Sequence, residues 1–283
     1  MDIKHLTDED QAARWKRAGH AWAEAQELLD GMLRPLEELL VEGVSAERAD
    51  HVLDVGCGTG GTTLAVARRL GPTGRAVGID ISEPMITAAR ERAAREGSSA
   101  SFILADAEQH AFEPAAFDAV ISRLGVMFFS DPVRAFANLR RAAKDEAPLR
   151  FVAWRGAAEN PFMTTAERAA APLVPDLPAR RPDGPGQFAF ADPDRIRGVL
   201  TESGWAEIGI RPVELSCALP ASELVGYFTR FGPLGLVLPE VDEQIRPRVI
   251  ETVRTAFDPY MQGTEVRFTA ACWTVDARAS TAP

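Results

Sequence analysis

Positive charge, paired cysteines and long apolar stretches are scarce in this sequence, and each scarcity excludes a class of protein. The 283 residues include 41 Asp and Glu against 31 Lys and Arg, which gives a formal net charge of -10. Phosphate backbones and anionic lipid surfaces repel an acidic chain. We therefore expect neither nucleic acid nor a membrane as a partner, since no run of Lys and Arg opposes this trend.

Cysteine usage narrows the expected compartment. The three thiols, Cys57, Cys217 and Cys272, are odd in number and widely spaced, so neither a disulfide framework nor a zinc or dithiol site is expected. The amino terminus has no apolar signal core, and nowhere do about 18 apolar residues run unbroken. These features predict a cytoplasmic protein without a metal site.

The remaining composition is that of an ordinary globular protein, with 46% hydrophobic and 25% charged residues. Its length suits one large α/β domain with an elaboration, or two modest domains. From residue 51, short apolar runs alternate with helical stretches, which is typical of a parallel sheet covered by helices on both faces. The predicted strands are 52–55, 76–79, 101–104, 119–122 and 149–154, and the predicted helices are 62–70, 83–96, a short one near Ala111, and 132–144.

Further elements flank this core. Apolar spacings of three and four predict one helix over 8–42, and abundant Pro, Ala and Gly predict an irregular segment over 156–187. Asp192 is a plausible cap for a helix that ends near Ser203. Two late strands are predicted at 207–219 and 265–276, with helical sequence over 221–260 between them.

The fold class that follows is α/β, with a Rossmann-like, seven-stranded, mostly parallel sheet and helices on both faces. We expect a helical cover at 1–45, a core at 46–155 and an irregular lid or linker at 156–191. The rest of the core would lie at 192–283, with a helical insertion at about 221–262 before the last strand.

A glycine-rich turn is the strongest local signal. Residues 52–61, VLDVGCGTGG, form a strand that breaks into glycines and then opens a helix. Such a turn lies at the carboxyl end of the first strand, where doubly wound sheets bind ligands. Asp80 ends the second predicted strand with a carboxylate that suits the two hydroxyls of a ribose. An adenosine-containing ligand is therefore predicted.

The glycines alone do not choose the ligand, because Gly56, Gly58 and Gly61 also satisfy the dinucleotide pattern G-x-G-x-x-G. Asp54 separates a dinucleotide from S-adenosylmethionine as the expected ligand. Its charge repels a diphosphate, whereas it balances the ammonium or sulfonium of S-adenosylmethionine. The alternative is structural: Asp54 would then cap the glycine turn through backbone amides.

Residues 54–60 resemble the first motif of class I S-adenosylmethionine-dependent methyltransferases, and further matches follow in order. Residues 76–85 resemble the family's second strand and turn, 104–107 the segment after the third strand, and 117–122 the fourth strand. The likeness covers roughly 53–154, and its nearest group contains the quinone-biosynthesis methyltransferases, including the run 123–129, RLGVMFF. S-adenosyl-L-methionine is the cofactor that this resemblance implies.

The resemblance also implies a role for individual residues. Asp80 would hold the ribose, Asp106 would accept from the adenine amino group, and the Ala107 amide would meet the ring. Trp15 and Trp22 would close over the methionine tail, or else pack an aromatic stripe onto the sheet. The expected cofactor-binding residues are Asp54, Gly56, Cys57, Gly58, Gly60, Asp80, Ile81, Met85, Asp106, Ala107, Ser122, Trp15 and Trp22.

Methyl transfer itself requires few catalytic groups, because alignment and a dry pocket contribute much of the acceleration. A general base is needed only where the acceptor loses a proton, and His110 and His20 are the candidates, with an ordinary surface role as the alternative. Arg123 would hold an anionic group of a substrate, or would simply pack.

The acceptor class is predicted from a set of apolar, mostly aromatic residues in the loops and the insertion. Such residues often line ligand pockets, so they favour a small apolar or aromatic metabolite, with a core role as the alternative. The set is Met127, Phe128, Phe129, Phe162, Phe188, Phe190, Phe228, Phe231 and Trp273.

Three other functions stay open on the sequence. A nicotinamide-dependent oxidoreductase would use the same sheet, although Asp54 and the Asp106–Ala107 pair disfavour it. A non-catalytic S-adenosylmethionine-binding module is not separated from an enzyme by any signature residue. A macromolecular acceptor is disfavoured by the acidic charge and by the absence of an NPPY or DPPY quartet after the fourth strand. The methylated atom is left open, and a homodimer through 156–187 or the insertion is compatible with the sequence.

Overall fold

The computed structural model describes residues 11–45, 50–180 and 184–280. The helices are α1 (Gln11–Glu24), α2 (Gln26–Glu42), α3 (Gly61–Leu70), α4 (Glu83–Glu96), α5 (Pro132–Ala142), α6 (Pro161–Ala170), α7 (Pro193–Glu202), α8 (Leu224–Arg230), α9 (Gly232–Val237) and α10 (Arg246–Ala256). The strands are β1 (His51–Val55), β2 (Arg75–Asp80), β3 (Ser101–Leu104), β4 (Ala119–Arg123), β5 (Pro148–Trp154), β6 (Trp205–Pro220), β7 (Met261–Gln262) and β8 (Glu265–Ala279).

One sheet joins these strands in the order β3-β2-β1-β4-β5-β8-β6, with β7 paired to β8. The strands β1 to β5 run parallel, and β8 runs antiparallel to both β5 and β6. The predicted Rossmann-like α/β class is therefore confirmed. The sheet has eight strands rather than seven because the two residues of β7 add a short pairing at the start of β8.

The order of the strands places a crevice at the carboxyl ends of β1 and β4. The chain leaves β1 through α3 toward β2, whereas it leaves β4 through α5 toward β5, in the opposite direction. Because parallel crossovers are right-handed, α3 and α5 lie on opposite faces of the sheet. Open α/β sheets bind ligands where neighbouring connections diverge in this way, and the glycine-rich turn lies there.

The helix predicted over 8–42 is two helices in the described part, and residues 8–10 lie outside it. The break falls at Ala25, whose φ of -99° and ψ of 17° depart from helical values. α1 packs against α4, whereas α2 packs against α3, β4, β5 and β6. A single straight helix could not reach both sets of partners, so the chain bends between them.

Two other predictions of secondary structure were wrong. The helix near Ala111 is absent, and residues 107–116 form turns and loop; Pro114 and a positive φ of 50° at Ala115 are incompatible with helix there. The segment over 156–187 is not wholly irregular, because it contains α6. Pro161 is tolerated in the first turn of that helix, where its missing N–H needs no partner, and the later prolines all follow Ala170.

The helices and strands after residue 192 agree with those predicted from the sequence. The strands β6 and β8 extend the predicted ranges by a few residues at their ends, and α8, α9 and α10 occupy the insertion between them. Asp192 caps α7 by accepting from the Asp194 amide at 2.9 Å. The domain boundaries stay a prediction. No described helix is long and apolar enough to cross a membrane.

Phe136 of α5 lies at the centre of the packing on its face of the sheet. It is fully buried, and its ring centroid lies 5.8 Å from Phe129, 5.6 Å from Phe151 and 6.1 Å from Phe190. We expect Phe136→Ala to lower the free energy of unfolding by about 3–5 kcal/mol through lost burial and the cavity left behind.

Urea denaturation measures this change, and Val225→Ala on α8 is the matched control. Val225 is 37% exposed, so its truncation should change stability by no more than about 0.5 kcal/mol. Equal effects of the two substitutions would contradict the assignment of Phe136 to the core.

Candidate functional site

The turn after β1 requires glycine at several positions. Gly56, Gly58 and Gly60 have φ values of 66°, 55° and 83°, in the region where a Cβ atom causes strain. A Cβ on Gly56 would also lie 2.7 Å from the Cα of Gly125, and one on Gly60 would lie 2.8 Å from the ring of Phe102. The turn is therefore fixed by both its dihedral angles and its neighbours.

Backbone amides of this turn are already used inside the protein. The amides of Gly56 and Cys57 donate to the carbonyl oxygen of Ile79 at 2.9 and 3.1 Å. The Gly58 amide donates to Asp80 Oδ2 at 2.9 Å. A diphosphate bound at such a turn relies on free amides, and these three do not supply them.

Asp54, on β1, is a buried carboxylate with one oxygen left over. It is 2% exposed, and its Oδ2 accepts from Thr63 Oγ1 at 2.7 Å. Its Oδ1 has no hydrogen-bond partner among the described residues. Burial raises the pKa of Asp54 to about 7, against the lowering effects of the Thr63 hydrogen bond and Arg123. The alternative in which this side chain caps the turn through backbone amides is not what these contacts show.

Asp80 ties the glycine-rich turn to the turn after β2. Its Oδ2 accepts from the Gly58 amide and its Oδ1 from the Ser82 amide, each at 2.9 Å. Burial raises the pKa of Asp80, and the hydrogen bonds from Ser82 and Gly58 partly offset that rise. Each carboxylate oxygen keeps a further lone pair, so the side chain has capacity for ribose hydroxyls.

The segment after β3 is a fixed turn. Asp106 Oδ1 accepts from the Glu108 amide at 2.9 Å. Ala107 is buried, and its carbonyl oxygen accepts from Asn138 Nδ2 at 2.8 Å. The Glu108 carboxylate in turn accepts from the Asp131 amide at 3.3 Å. The predicted adenine contacts, Asp106 and Ala107, are thus fastened to the segment that follows β4.

Four more predicted residues lie around the same turns. Ser122 Oγ donates to the carbonyl oxygen of the last residue of β1 at 2.7 Å and accepts from the Gly125 amide at 3.2 Å, so it joins the ends of β1 and β4. Cys57 and Met85 are buried and Ile81 is half-buried. Burial raises the pKa of the Cys57 thiol, which keeps it neutral.

The helix α1 bridges three parts of the site. Ser82 Oγ, after β2, donates to the Trp15 carbonyl oxygen at 3.0 Å. The Trp15 ring meets Phe128, after β4, edge-on with centroids 4.9 Å apart. Trp22 meets Phe231, in the insertion, at 5.3 Å, and the two indoles lie 5.9 Å apart. Both tryptophans are half-buried, so part of each ring faces the crevice or solvent.

Of the two histidines predicted as bases, His110 joins this cluster through its backbone: its amide donates to the Asp106 carbonyl oxygen at 2.8 Å, and its carbonyl oxygen accepts from Asn138 Nδ2 at 2.9 Å. His110 follows the turn after β3, and its ring packs edge-on against Phe112 with centroids 4.6 Å apart. His20 is exposed on α1. At about 100° per helical residue, His20 points away from the face that carries Trp15 and Trp22. Their catalytic roles stay predictions.

Arg123 lies against α2 instead of pointing into an open crevice. Its Nη2 is 3.4 Å from Asp30 Oδ1, and its Nη1 is 3.8 Å from Glu37 Oε2. The side chain is 15% exposed. These contacts favour the packing role over direct contact with an anionic substrate.

Three residues that shape the site were missed by sequence reasoning. Thr63 is buried in the first turn of α3, where its hydroxyl reaches Asp54. Gly125 approaches β1 so closely that a Cβ would lie 2.6 Å from the Val55 carbonyl oxygen. Asp30 is an acid within the apolar stripe of α2. The sequence held a signal for two of them: Asp30 is an acid in an otherwise apolar stripe, and Gly125 is a glycine that closely follows a predicted strand.

The groups present fit S-adenosylmethionine. The unpartnered Oδ1 of Asp54 suits the cofactor's ammonium, and Asp80 suits its ribose, whereas both carboxylates would repel a diphosphate. The amides of Gly56, Cys57 and Gly58 also disfavour a diphosphate, because they already donate to Ile79 and Asp80. Within the three described ranges, no group of three or more His, Cys, Asp or Glu could hold a metal ion.

Comparison with known proteins agrees with this geometry. Residues 52–146 match the model of a methyltransferase domain. Nocamycin O-methyltransferase of Saccharothrix syringae is 28% identical over 211 residues, which cover 69% of this chain and 73% of that one. The chain therefore contains a methyltransferase domain, and the relatives that it resembles are named as methyltransferases. The oxidoreductase alternative is accordingly not favoured.

Other similarities are more local. This chain is 32% identical over 119 residues to 2-phytyl-1,4-naphtoquinone methyltransferase of Trichormus variabilis. The matched residues cover 41% of this chain and about half, 52%, of that one. The expected likeness to the quinone group is thus confirmed. Among solved structures, phosphoethanolamine N-methyltransferase 2 of Haemonchus contortus, in complex with S-adenosylhomocysteine, superposes with a TM-score of 0.55. At 16% identity, covering 100% of this chain and 61% of that one, this likeness shows the fold alone.

Asp54→Asn should weaken cofactor binding by the methyltransferase and flatten its pH dependence. The folded pKa of Asp54 lies above its ordinary value, at about 7, and a cationic ligand favours the ionised form. The dissociation constant of S-adenosylhomocysteine should therefore rise about tenfold per pH unit below about 7 and level off above it.

Calorimetric titration across this range measures the effect. Asp118→Asn is the matched control. That carboxylate precedes β4, at the amino-terminal end of the strand and so at the opposite end from the crevice, and its hydrogen bond with Lys144 holds its pKa low. A wild-type profile in the Asp54→Asn protein would contradict the role assigned to this carboxylate.

Asp80→Ala should reduce both cofactor affinity and stability. The substitution removes the predicted ribose contact and leaves the Gly58 and Ser82 amides without their acceptor, at about 1–3 kcal/mol for each buried group. Calorimetry with S-adenosylhomocysteine and urea denaturation separate the two losses. Unchanged affinity would show that the end of β2 does not hold the ribose.

Proposed function

We propose that this chain transfers the methyl group of S-adenosylmethionine to a small apolar or aromatic metabolite. The observation that carries the proposal is a continuous row of half-buried rings that runs from the segment after β4, along α1, to the insertion. We call this set the aromatic row, and its members are Phe128, Trp15, Trp22, Phe231 and Tyr227.

The aromatic row offers an uncharged surface. Phe231 and Tyr227 continue it into α8 with centroids 5.7 Å apart. Burial raises the pKa of Tyr227 to about 12, so its hydroxyl stays neutral, and that hydroxyl lies 3.6 Å from Met163 Sδ. Half-buried rings of this kind suit the face of an apolar or aromatic ligand.

The other apolar residues predicted as acceptor contacts divide between core and surface. Phe162, Phe190 and Phe228 are fully buried and Met127 nearly so, which supports a packing role for them. Phe188 stacks under Arg180 at 5.1 Å, and Trp273 lies under Arg155 at 5.3 Å. The rings of the aromatic row are therefore the better candidates for contact with an acceptor.

The chain's own contribution to the reaction is binding, alignment and exclusion of water. When bound, S-adenosylmethionine supplies an electrophilic methyl group on a positively charged sulfur. Asp54 balances cationic charge, Asp80 holds the ribose, and α1 shields the crevice with its two indoles. An in-line displacement gains most from such orientation and from a dry pocket.

The names of the relatives support a small acceptor. Nocamycin O-methyltransferase and 2-phytyl-1,4-naphtoquinone methyltransferase are both named for small molecules, the second for a quinone with a phytyl chain. The net charge of -10 disfavours polyanionic acceptors such as RNA. A small apolar metabolite agrees with both observations.

Transfer of a tritiated methyl group to a defined panel of acceptors tests the proposed class. The panel contains hydroxylated naphthoquinones, simple phenols, aliphatic polyols, and bulk RNA and DNA. We expect label in the aromatic members and none in nucleic acid, because the acidic surface repels phosphates. Label confined to polyols or to nucleic acid would overturn the proposal.

Phe231→Ala should raise the KM for an aromatic acceptor found in this panel about tenfold or more, since loss of a ring contact removes about 1–3 kcal/mol of binding. The affinity for S-adenosylhomocysteine should change little, because Phe231 lies in the insertion. Val225→Ala on the exposed side of the same helical segment is the control, and Phe231→Leu should recover part of the loss. An unchanged KM in Phe231→Ala would remove the aromatic row from the acceptor site.

A further inference from the structure

A guanidinium and the carboxylate of Asp54 share one face of the sheet. The strands β1 and β4 are parallel, with Asp54 in register with Ile121. Side chains two residues apart on a strand point to the same face, so Arg123 lies on the face of Asp54, one step further toward the carboxyl end. Thr63 of α3 and the acids of α2 meet the two side chains on this same face.

The positive charge of Arg123 is only partly neutralised by α2. Its separations of 3.4 Å from Asp30 and 3.8 Å from Glu37 are long for ion pairs, and its Nη1 has no hydrogen-bond partner among the described residues. Asp30 makes a shorter contact with Arg92 of α4. Charge therefore remains to act on the neighbouring carboxylate, and in a buried setting such an interaction is weakly screened.

The charges that face Asp54 come from several elements. Glu37 of α2 and Asp80 of β2 disfavour its ionised form, whereas Arg123 of β4 favours it. The Cys57 thiol lies near but is neutral, because burial raises its pKa. Among the charges acting on Asp54, the guanidinium of Arg123 is thus the one that keeps the carboxylate able to meet a cation.

We propose that Arg123 is a positioning residue for the cofactor: it keeps Asp54 ionised for the cofactor's ammonium, and Asp30 of α2 holds the guanidinium where it can do so. The proposal rests on S-adenosylmethionine as the cofactor and not on the identity of the acceptor.

Asp30 is well placed to couple this pair to the glycine-rich turn. A Cβ on Gly61, the first residue of α3, would lie 2.7 Å from Asp30 Oδ1. The carboxylate thus lies at the positive end of α3 as well as between Arg92 and Arg123. One side chain of α2 therefore fixes the position of Arg123 relative to the turn that follows Asp54.

The test is the affinity for S-adenosylhomocysteine, measured by calorimetry between pH 6 and 9 on the full chain. In the wild type the dissociation constant should level off above about pH 7, following Asp54. Arg123→Gln keeps hydrogen-bonding capacity toward α2 but removes the charge. We expect it to raise the pH at which the dissociation constant levels off, the levelling point, by about one unit, to weaken binding about fivefold at pH 7, and to recover near-wild-type affinity at pH 9.

Matched variants separate this role from a merely structural one. Arg123→Lys retains the charge and should keep the wild-type profile. In an Asp54→Asn background, Arg123→Gln should have no further effect on binding. Arg34→Gln removes the same charge from an exposed position on α2, where Arg34 pairs with Glu38 at 3.0 Å, and should leave the profile unchanged.

Two results would overturn the proposal: an equal loss of affinity at every pH, or an unmoved levelling point in Arg123→Gln. Should that variant not fold, Glu37→Gln is the second test, because loss of a negative charge facing Asp54 should lower the levelling point. An unmoved point there would show that this cluster does not set the charge of Asp54. Absence of any S-adenosylhomocysteine binding by the wild type would instead contradict the cofactor, so the two failures are distinguishable.

Discussion

The structure depends on a carboxylate that is buried at the end of β1 without a full set of partners. Asp54 is held by a single hydroxyl, that of Thr63, and its other oxygen faces no donor among the described residues. Burial of a polar group without a partner is unfavourable, and it is retained here at the crevice where the sheet changes the direction of its connections. A cationic ligand that donates a hydrogen bond to the unpartnered oxygen of Asp54 would offset this cost of burial.

The surrounding turns are arranged to leave that carboxylate as the distinctive feature of the crevice. The amides of the glycine-rich turn donate to Ile79 and Asp80, so the turn is rigid and offers little to a phosphate. Ser122 and Gly125 draw the end of β4 against the end of β1. Leu124 between them adopts a positive φ of 63°, which a non-glycine residue reaches only at a cost of about 1–3 kcal/mol. Strain and close approach therefore coincide at the site.

The two helices that precede the sheet contribute in different ways. α2 packs on the sheet and brings Asp30 and Glu37 to the guanidinium of Arg123. α1 crosses the crevice and joins the turn after β2, the segment after β4 and the insertion through Trp15 and Trp22. The bend at Ala25 allows one continuous segment to serve both the electrostatics of the cofactor site and the apolar surface offered to an acceptor.

The sequence by itself determined the alternation of strands and helices, the glycine-rich turn, and the positions of Asp54, Asp80 and Asp106 at strand ends. These follow from local rules, because hydrophobic period, glycine dihedrals and the meeting of parallel strand ends at one edge depend on neighbours along the chain. Only the tertiary structure decided that Arg123 faces α2, that the cover bends into two helices, and that rings distant in sequence form one row. Those outcomes depend on which elements pack together, and no local pattern around Arg123, Ala25 or Phe231 encodes the partner each one meets.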